Sequence, residues 1–501
     1  FYYCNVNSEL IFGSEIKSIL EHSSVENVFK QLEEYFDFEM KKYITAFIFS
    51  LAFFTQTAAQ NILQEKAESL ANDPVFQNAI TGISVISGRG EILSSVNAEK
   101  MLVPASNMKL ISTGAALYSL GPDYRFHTGI CHDGTIENGI LHGNLYIVGE
   151  GDPTLGSKDS IATDLNTTFA AWKKAILNAG ITSIDGHIVG DGRWLDGMSE
   201  EPTWLYEDLG TYYGSGITGL MFYENMQSFS AAAGNQVGDP VKISPSYPEA
   251  PWMEFRYNCT TGKKGTGDRL YMYTSDLAPV AEIRGTFAVD RASKRLDCSN
   301  KYPEYTCAYY FQKYLKKKGI ECVEGIGDFR LETQWEAKGE INILGKTSSP
   351  ALSRIVFETN HASNNLYAET LIRNLGREIT GSACYDSSYV AINQVLKDLN
   401  VNISKGVDIQ DGSGLSRQNY ISSDFFCRFL QAMMTSPHFE SYIASLPSPG
   451  KDGTLQYNMK SYPAEMKERI LVKSGSMNGI RCYSGYIIPT EGCKEDSIIF
   501  S

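Results

Sequence analysis

The sequence predicts an α+β protein whose opening and closing pieces form one domain, with a long β-rich middle set between them. Three observations predict it. Near the start, ISVIS and EILSSVN flank a turn at Gly88-Arg89-Gly90. They lead into a stretch where Met108, Ile111, Ser112 and Ala115 repeat as one buried helical face would. Residues 203–290 are rich in Trp, Tyr, Pro and Gly and carry little helical periodicity, which reads as a β-rich insertion. After Ser349 helical patterns return at Ala351–Asn374, Ser387–Leu399 and Ser423–Thr435, and the end reads as strands in RILVKSGSM, CYSGYIIP and DSIIFS.

Taken in order, residues 1–39 start strand-like and continue as a helix from about Ser14. The ELIFGSEIKSILEH run resembles a fragment of the glutaminase domain of asparagine synthetases. Amidotransferases of that kind need an N-terminal cysteine; Cys4 is not at a processed terminus, so this segment is expected to be extraneous and inactive. Met40 opens a different text. MKKYITAFIFSLAFFTQTAAQ has a basic start at Lys41 and Lys42, an apolar run from Tyr43 to Phe54, and small residues at Thr57 and Ala59. That pattern predicts a secretory signal peptide over residues 40–59 and a mature start near Gln60. The apolar run is shorter than the roughly 20 residues of a bilayer span, so an exported, periplasmic protein with no membrane span after cleavage is expected.

At 501 residues and 43% hydrophobic content the chain can hold two or three globular domains. A net charge of −14 with few basic clusters argues against nucleic acid as a partner. The cysteines after Gln60 are odd in number, so at least one is free, and no CxxC pair occurs. The histidines form no HExxH, and neither a metal nor a cofactor is expected. Short strands and Gly-rich turns fill Tyr124 to about Gly190, including LHGNLYIVGEGDPTL, around a helix near Asn166–Ala179. A helix near Tyr305–Lys318 and a strand near Gly325–Glu332 follow. The last run is an apolar strand without a polar tail, and the chain is expected to be truncated there.

The chemistry starts at PASNMKL. Ser106 and Lys109 are three apart at a helix start, so the amine can reach the hydroxyl, and unpaired N–H groups there favour developing negative charge. A serine beside an amine is a candidate activated nucleophile. Ser-x-x-Lys also occurs at Ser14–Lys17 and Ser448–Lys451, so the pair needs company. It is found after residue 340. Ser363-Asn364-Asn365 supplies a Ser-x-Asn on a helix or the loop before it, and Lys473-Ser474-Gly475 sits in a strand-like run. Ser-x-x-Lys, Ser-Asp-Asn and Lys-Thr-Gly occur together in penicillin-binding proteins and class A β-lactamases. Here the three stand in that order, with Asn for Asp and Ser for Thr.

With VPASNMKL, HGNLYIVGEGDPTL, ASNNLYAE, DGSGLSR, GKDGTLQY and VKSGSMNG, nearly the whole mature chain resembles one family. It is the low-molecular-mass class C penicillin-binding proteins, the D-alanyl-D-alanine carboxypeptidase/endopeptidase group. The resemblance implies a penicillin-recognising serine transpeptidase-like domain, helices packed on an antiparallel sheet, built from 60–125 and 341–501. An inserted domain over 126–340 would interrupt it, with a nested β-rich domain at about 215–285. It places the final strand next to the Lys-Ser-Gly strand, in a chain that continues further.

The implied activity is that of a serine-type D-Ala-D-Ala carboxypeptidase working through an acyl-enzyme. DD-endopeptidase cleavage of peptidoglycan cross-links is left open. Stem peptides would be substrates and β-lactams inhibitors; the oligomeric state is open. Ser106 would attack, Lys109 would take its proton, Ser363 would relay a proton to the leaving D-alanine, and Asn365 would hold the substrate peptide. Lys473 and the Ser474 hydroxyl would meet the terminal carboxylate. Backbone N–H groups of Ser106 and Ser476 would form the oxyanion hole, Gly475 lies between the binding residues, and Met477 would line the side-chain pocket. A neutral lysine at pH 7 costs roughly 4.6 kcal/mol against an ordinary pKa of about 10.4. Burial and the like charge of Lys473 are expected to cover that cost. Two alternatives remain. A β-lactamase needs fast water attack on the acyl-enzyme, and the long insertion speaks against it; a catalytically retired wall-binding protein would have lost a motif residue, and none is lost.

Overall fold

The computed structural model describes residues 56–329 and 340–501. The expected extraneous segment at 1–39 and the apolar run after Met40 lie outside the described residues.

Segments from both ends of the chain build one five-stranded antiparallel sheet. Its strands are β1 (Ile83–Ser87), β2 (Ile92–Val96), β3 (Ile470–Met477), β4 (Ile480–Ile487) and β5 (Ile498–Phe500), in the order β2-β1-β5-β4-β3. β5 therefore sits between β1 and β4. It is not beside the Lys473 strand, as the resemblance implied, because Lys473 lies in β3, which among the described residues pairs in this sheet with β4 alone.

Side chains alternate across the sheet, which gives it two apolar faces. Val85, Val472, Ile487 and Phe500 pack with Leu63 of helix α1 (Gln56–Ala71). Their neighbours Ile86, Tyr486 and Ile499 face the other way, into the main core. That core is made by α2 (Met108–Leu120), α3 (Leu352–His361), α4 (Asn365–Thr380), α5 (Tyr385–Asp398) and α6 (Ser423–Met433). α2 runs through its middle and is buried at every residue from Met108 to Leu117. The single buried face expected from the sequence is thus an under-reading. A helix enclosed by neighbours needs small or apolar residues all round, and Gly114, Ala115 and Ala116 supply them.

A five-stranded and a four-stranded sheet and the helices Leu165–Asn178 and Pro303–Lys317 share a second apolar core, and the strand Asn342–Ser348, placed by the resemblance in the closing piece, pairs with His127–His132 in that five-stranded sheet. Strands from Met226–Ala232 to Lys294–Ser299 form two three-stranded sheets around a third core that includes Phe229, Ile283 and Phe287. These strands extend past residue 285 to Ser299. Of the strand expected near Gly325–Glu332, Ile326–Asp328 is present, and 330–339 lie outside the described residues. The nine cysteines of the described residues are all unpaired. None of the described helices is long and apolar enough to cross a membrane.

Candidate active site

Ser106 does not lie in the α-helix proper. Ala105–Asn107 form a 3-10 turn and α2 begins at Met108. Ala105 is fully buried with φ of 44°, a left-handed conformation that residues with a Cβ seldom adopt. Neighbouring backbone holds it there. A Cβ on Gly414, itself at φ 82°, would come within 1.8 Å of the Ala105 carbonyl oxygen. A Cβ on Gly475 would come within 2.7 Å of the Pro104 oxygen and 3.0 Å of the Asn107 nitrogen. Two glycines, one from Asp-Gly-Ser-Gly and one from Lys-Ser-Gly, thus let two backbones close on the serine turn. Asn107 ties that turn to β4 by donating to Ser484 Oγ at 2.7 Å.

Lys109 is fully buried, and its amine meets three oxygens: Ser106 Oγ at 3.0 Å, Asn365 Oδ1 at 2.7 Å and the Ser413 carbonyl at 2.7 Å. Burial pulls its pKa down to about 7, against the raising influence of Asp411 and Glu369. Burial is the dominant cause of the shift. Lys473 is itself depressed, by burial first and by the Lys109 charge second.

Glu369, in ASNNLYAE, and Asp411, in DGSGLSR, are carboxylates that the sequence motifs alone do not assign to the site. Glu369 is buried and accepts the N–H groups of Gly412 at 3.1 Å and Ser413 at 2.7 Å. Burial and the Asp411 charge raise its pKa. Asp411 accepts from Gly414 N–H at 2.7 Å, Ser416 N–H at 2.6 Å, Asn419 Nδ2 and Trp204 Nε1 at 2.9 Å. Together they fix the turn whose Ser413 carbonyl grips Lys109. One cue was present: Asn365 and Glu369 are four apart on α4, a spacing that puts both on one side.

Ser363 lies between α3 and α4 with φ of 58°. Of the two placements open for the motif, a helix or the loop before it, Ser363 takes the loop and Asn365 the start of the helix. Asn364 caps α4, accepting from Tyr367 N–H at 3.1 Å. Lys473 is fully buried and donates to Ser363 Oγ at 3.0 Å and to the Ser474 carbonyl at 2.8 Å. The structure thus joins Ser106, Lys109 and Asn365 in one hydrogen-bonded set and Ser363 and Lys473 in a second, with Lys473 near enough to feel the Lys109 charge.

Ser474 Oγ lies 2.9 Å from Oγ1 of Thr454, which belongs to the GKDGTLQY stretch. Val472 N–H donates away from the sheet, to the Pro447 carbonyl at 3.0 Å. Backbone direction repeats every two residues along a strand, so the N–H groups of Ser474 and Ser476 point to that same free edge. Ser476 is exposed and its hydroxyl accepts from Arg481 Nη1 at 2.6 Å. Met477 is half-buried at the end of β3, next to Asn478, whose carbonyl accepts from Arg417 Nη1 at 3.5 Å. The Ser448–Lys451 pair is elsewhere engaged: Ser448 Oγ donates to the Lys467 carbonyl at 2.6 Å and Lys451 is exposed. Ser14 and Lys17 lie outside the described residues.

A family model described as the D-Ala-D-Ala carboxypeptidase 3 (S13) family matches residues 63–501. The D-alanyl-D-alanine carboxypeptidase of Actinomadura sp. strain R39 is 27% identical over 449 residues, covering 87% of this chain and 80% of that protein. The D-alanyl-D-alanine carboxypeptidase DacB of Haemophilus influenzae is 22% identical over 419 residues, covering 81% of each. The crystal structure of penicillin binding protein 4 (dacB) from Haemophilus influenzae superposes with a TM-score of 0.72 at 21% identity, covering 84% of this chain and 88% of that one. The fold is the α+β fold of that protein.

Proposed function

The chain belongs to the D-Ala-D-Ala carboxypeptidase 3 (S13) family and is a serine-type DD-carboxypeptidase, and from that premise we propose that Ser106 is its nucleophile and Lys109 its base. One observation carries this reading. A neutral amine has two N–H groups and one lone pair. Asn365 Oδ1 and the Ser413 carbonyl can only accept, and each lies 2.7 Å from Lys109 Nζ. Both N–H groups are thereby spent, and the lone pair is left for the Ser106 hydroxyl at 3.0 Å.

The steps follow. Ser106 Oγ adds to the carbonyl carbon of the penultimate D-alanine as its proton passes to Lys109. The free-edge N–H of Ser476 and the N–H of Ser106 receive the oxyanion, a contribution of about 2.7–4 kcal/mol per donor. Collapse breaks the peptide bond, and the leaving D-alanine amine takes a proton through Ser363. Water then attacks the Ser106 ester, giving the shortened peptide and free enzyme. The substrate's terminal carboxylate meets Lys473 with the hydroxyls of Ser474 and Thr454. Burial, and after it the Lys109 charge, disfavour charge on Lys473, and an arriving carboxylate supplies the compensating partner.

The substrates we propose are peptidoglycan stem peptides, with β-lactams as acylating inhibitors. The Haemophilus influenzae penicillin binding protein 4 has been solved in complex with a β-lactam. The basic start and apolar run after Met40 support an exported, periplasmic enzyme. The test is the chain from Gln60 with defined muropeptides. Release of D-alanine, abolished by Ser106→Ala, is expected. Release that persists in Ser106→Ala would refute the nucleophile. Cross-linked dimers in the same assay read out endopeptidase cleavage.

A further inference from the structure

Both asparagines of Ser363-Asn364-Asn365 are held by the inserted segment. Asn365 Nδ2 donates to the Tyr213 carbonyl at 2.9 Å, and Asn364 Nδ2 donates to Glu224 Oε2 at 3.0 Å. Asn364 Oδ1 is already committed to capping α4, so its amide is fixed at both ends. Ser363, one residue before it, is in the left-handed region and has little freedom to adjust.

Glu224 arrives on a backbone that is unusual in its own right. Tyr223, Glu224 and Asn225 have φ of 54°, 54° and 49° in succession. Residues with a Cβ visit this region singly, and strain of this kind collects at functional sites. Asn225 locks the turn. Its Oδ1 accepts Phe222 N–H at 3.1 Å, its Nδ2 donates to the Gly216 carbonyl at 3.1 Å, and its own carbonyl accepts Asn300 N–H at 2.7 Å. The product is a buried carboxyl aimed at the loop that carries Ser363. Its other oxygen accepts from Ser157 Oγ at 2.8 Å, and Asp159 nearby accepts from Tyr367 Oη of α4 at 2.7 Å.

We propose that Glu224 is a positioning residue for acyl transfer, acting through Asn364 to hold Ser363 and Asn365 in place, so that the inserted segment completes the active site. This rests on Ser363 and Asn365 acting as described above.

The experiment reverses the polarity of the contact. Asn364→Asp keeps a capping oxygen for α4 but sets a carboxylate against Glu224. Adding Glu224→Gln supplies an amide donor to that carboxylate. The expected result is a fall of about tenfold or more in kcat for D-alanine release and in penicillin acylation in Asn364→Asp, with KM little changed, recovering to within about threefold in the double variant. Wild-type kcat in Asn364→Asp, or a loss that Glu224→Gln does not recover, overturns the proposal. So does recovery of Tm without recovery of kcat, which would mark a merely structural contact. If Asn364→Asp does not fold, Glu224→Ala leaves the α4 cap untouched and is expected to lose kcat similarly; unchanged kcat there overturns the proposal. Ser363→Ala runs in parallel. Full activity in that variant refutes the role of Ser363 itself, an outcome independent of Glu224.

Discussion

With its pKa near 7, Lys109 holds a proton on the acid side of neutrality and a free lone pair on the alkaline side. Only the second form can receive the Ser106 proton, so acylation by penicillin should fall as the pH drops through about 7. Rates measured between about pH 5 and 9 test this, and a rate flat to the acid end would mean that Lys109 does not titrate in the reaction. The same depression makes Lys109 a stability cost below its folded value, relieved as the pH rises toward the ordinary lysine range, because the unfolded chain binds the extra proton in that window. Gly414 makes a second case. At φ 82°, with a Cβ position 1.8 Å from the Ala105 oxygen, it has room for no side chain. Gly414→Ala should cost roughly 2–5 kcal/mol and slow acylation, because the atoms that must move carry Ser106. A melting curve and a penicillin acylation rate check it; an unchanged Tm would contradict the close approach. Spacing and order made Ser106, Lys109, Ser363, Asn365 and Lys473 legible in the sequence. Glu369 and Asp411 were not, since a buried carboxylate beneath a turn has no local signature until the turn is placed beside Lys109.

At the scale of elements, the fold turns on α2, enclosed between the sheet and α3–α6. Ile111 is fully buried there, whereas Ile140, on the strand Ile140–His142, is 37% exposed. Ile111→Ala should cost about 2–5 kcal/mol and Ile140→Ala within about 0.5 kcal/mol. Calorimetric Tm values for the two variants decide this, and equal losses would contradict a central α2. The existence and kind of the outer elements followed from periodicity, because apolar residues must recur where one face is buried. What periodicity misses is where the chain bends. The break at Ser363 needs a positive φ, and Ala362-Ser363-Asn364 disturbs the pattern of neither flanking helix. The burial of α2 on all sides was illegible for a related reason: Gly, Ala, Ser and Thr between its larger apolar residues read as a polar face until partners cover them.

At the scale of the molecule, the site is assembled from distant parts of the chain. Ser106 and Lys109 come from the first piece. Ser363, Asn365, the Ser413 turn and Lys473 come from the last, with Glu224 and Tyr213 reaching in from between. No local segment can show such an assembly, which is why only the order of the motifs pointed to it. The inserted strands and their separate cores were legible as β-rich, but their grip on the Ser-Asn-Asn loop was not, since it depends on a turn that places Glu224 against Asn364. The central claim is that one serine among three Ser-x-x-Lys copies is the nucleophile. Labelled penicillin followed by peptide mapping tests it most directly. The label should sit on Ser106, vanish in Ser106→Ala, and be unaffected by Ser448→Ala or Ser14→Ala. A label that survives Ser106→Ala, or maps to any other residue, would contradict the account.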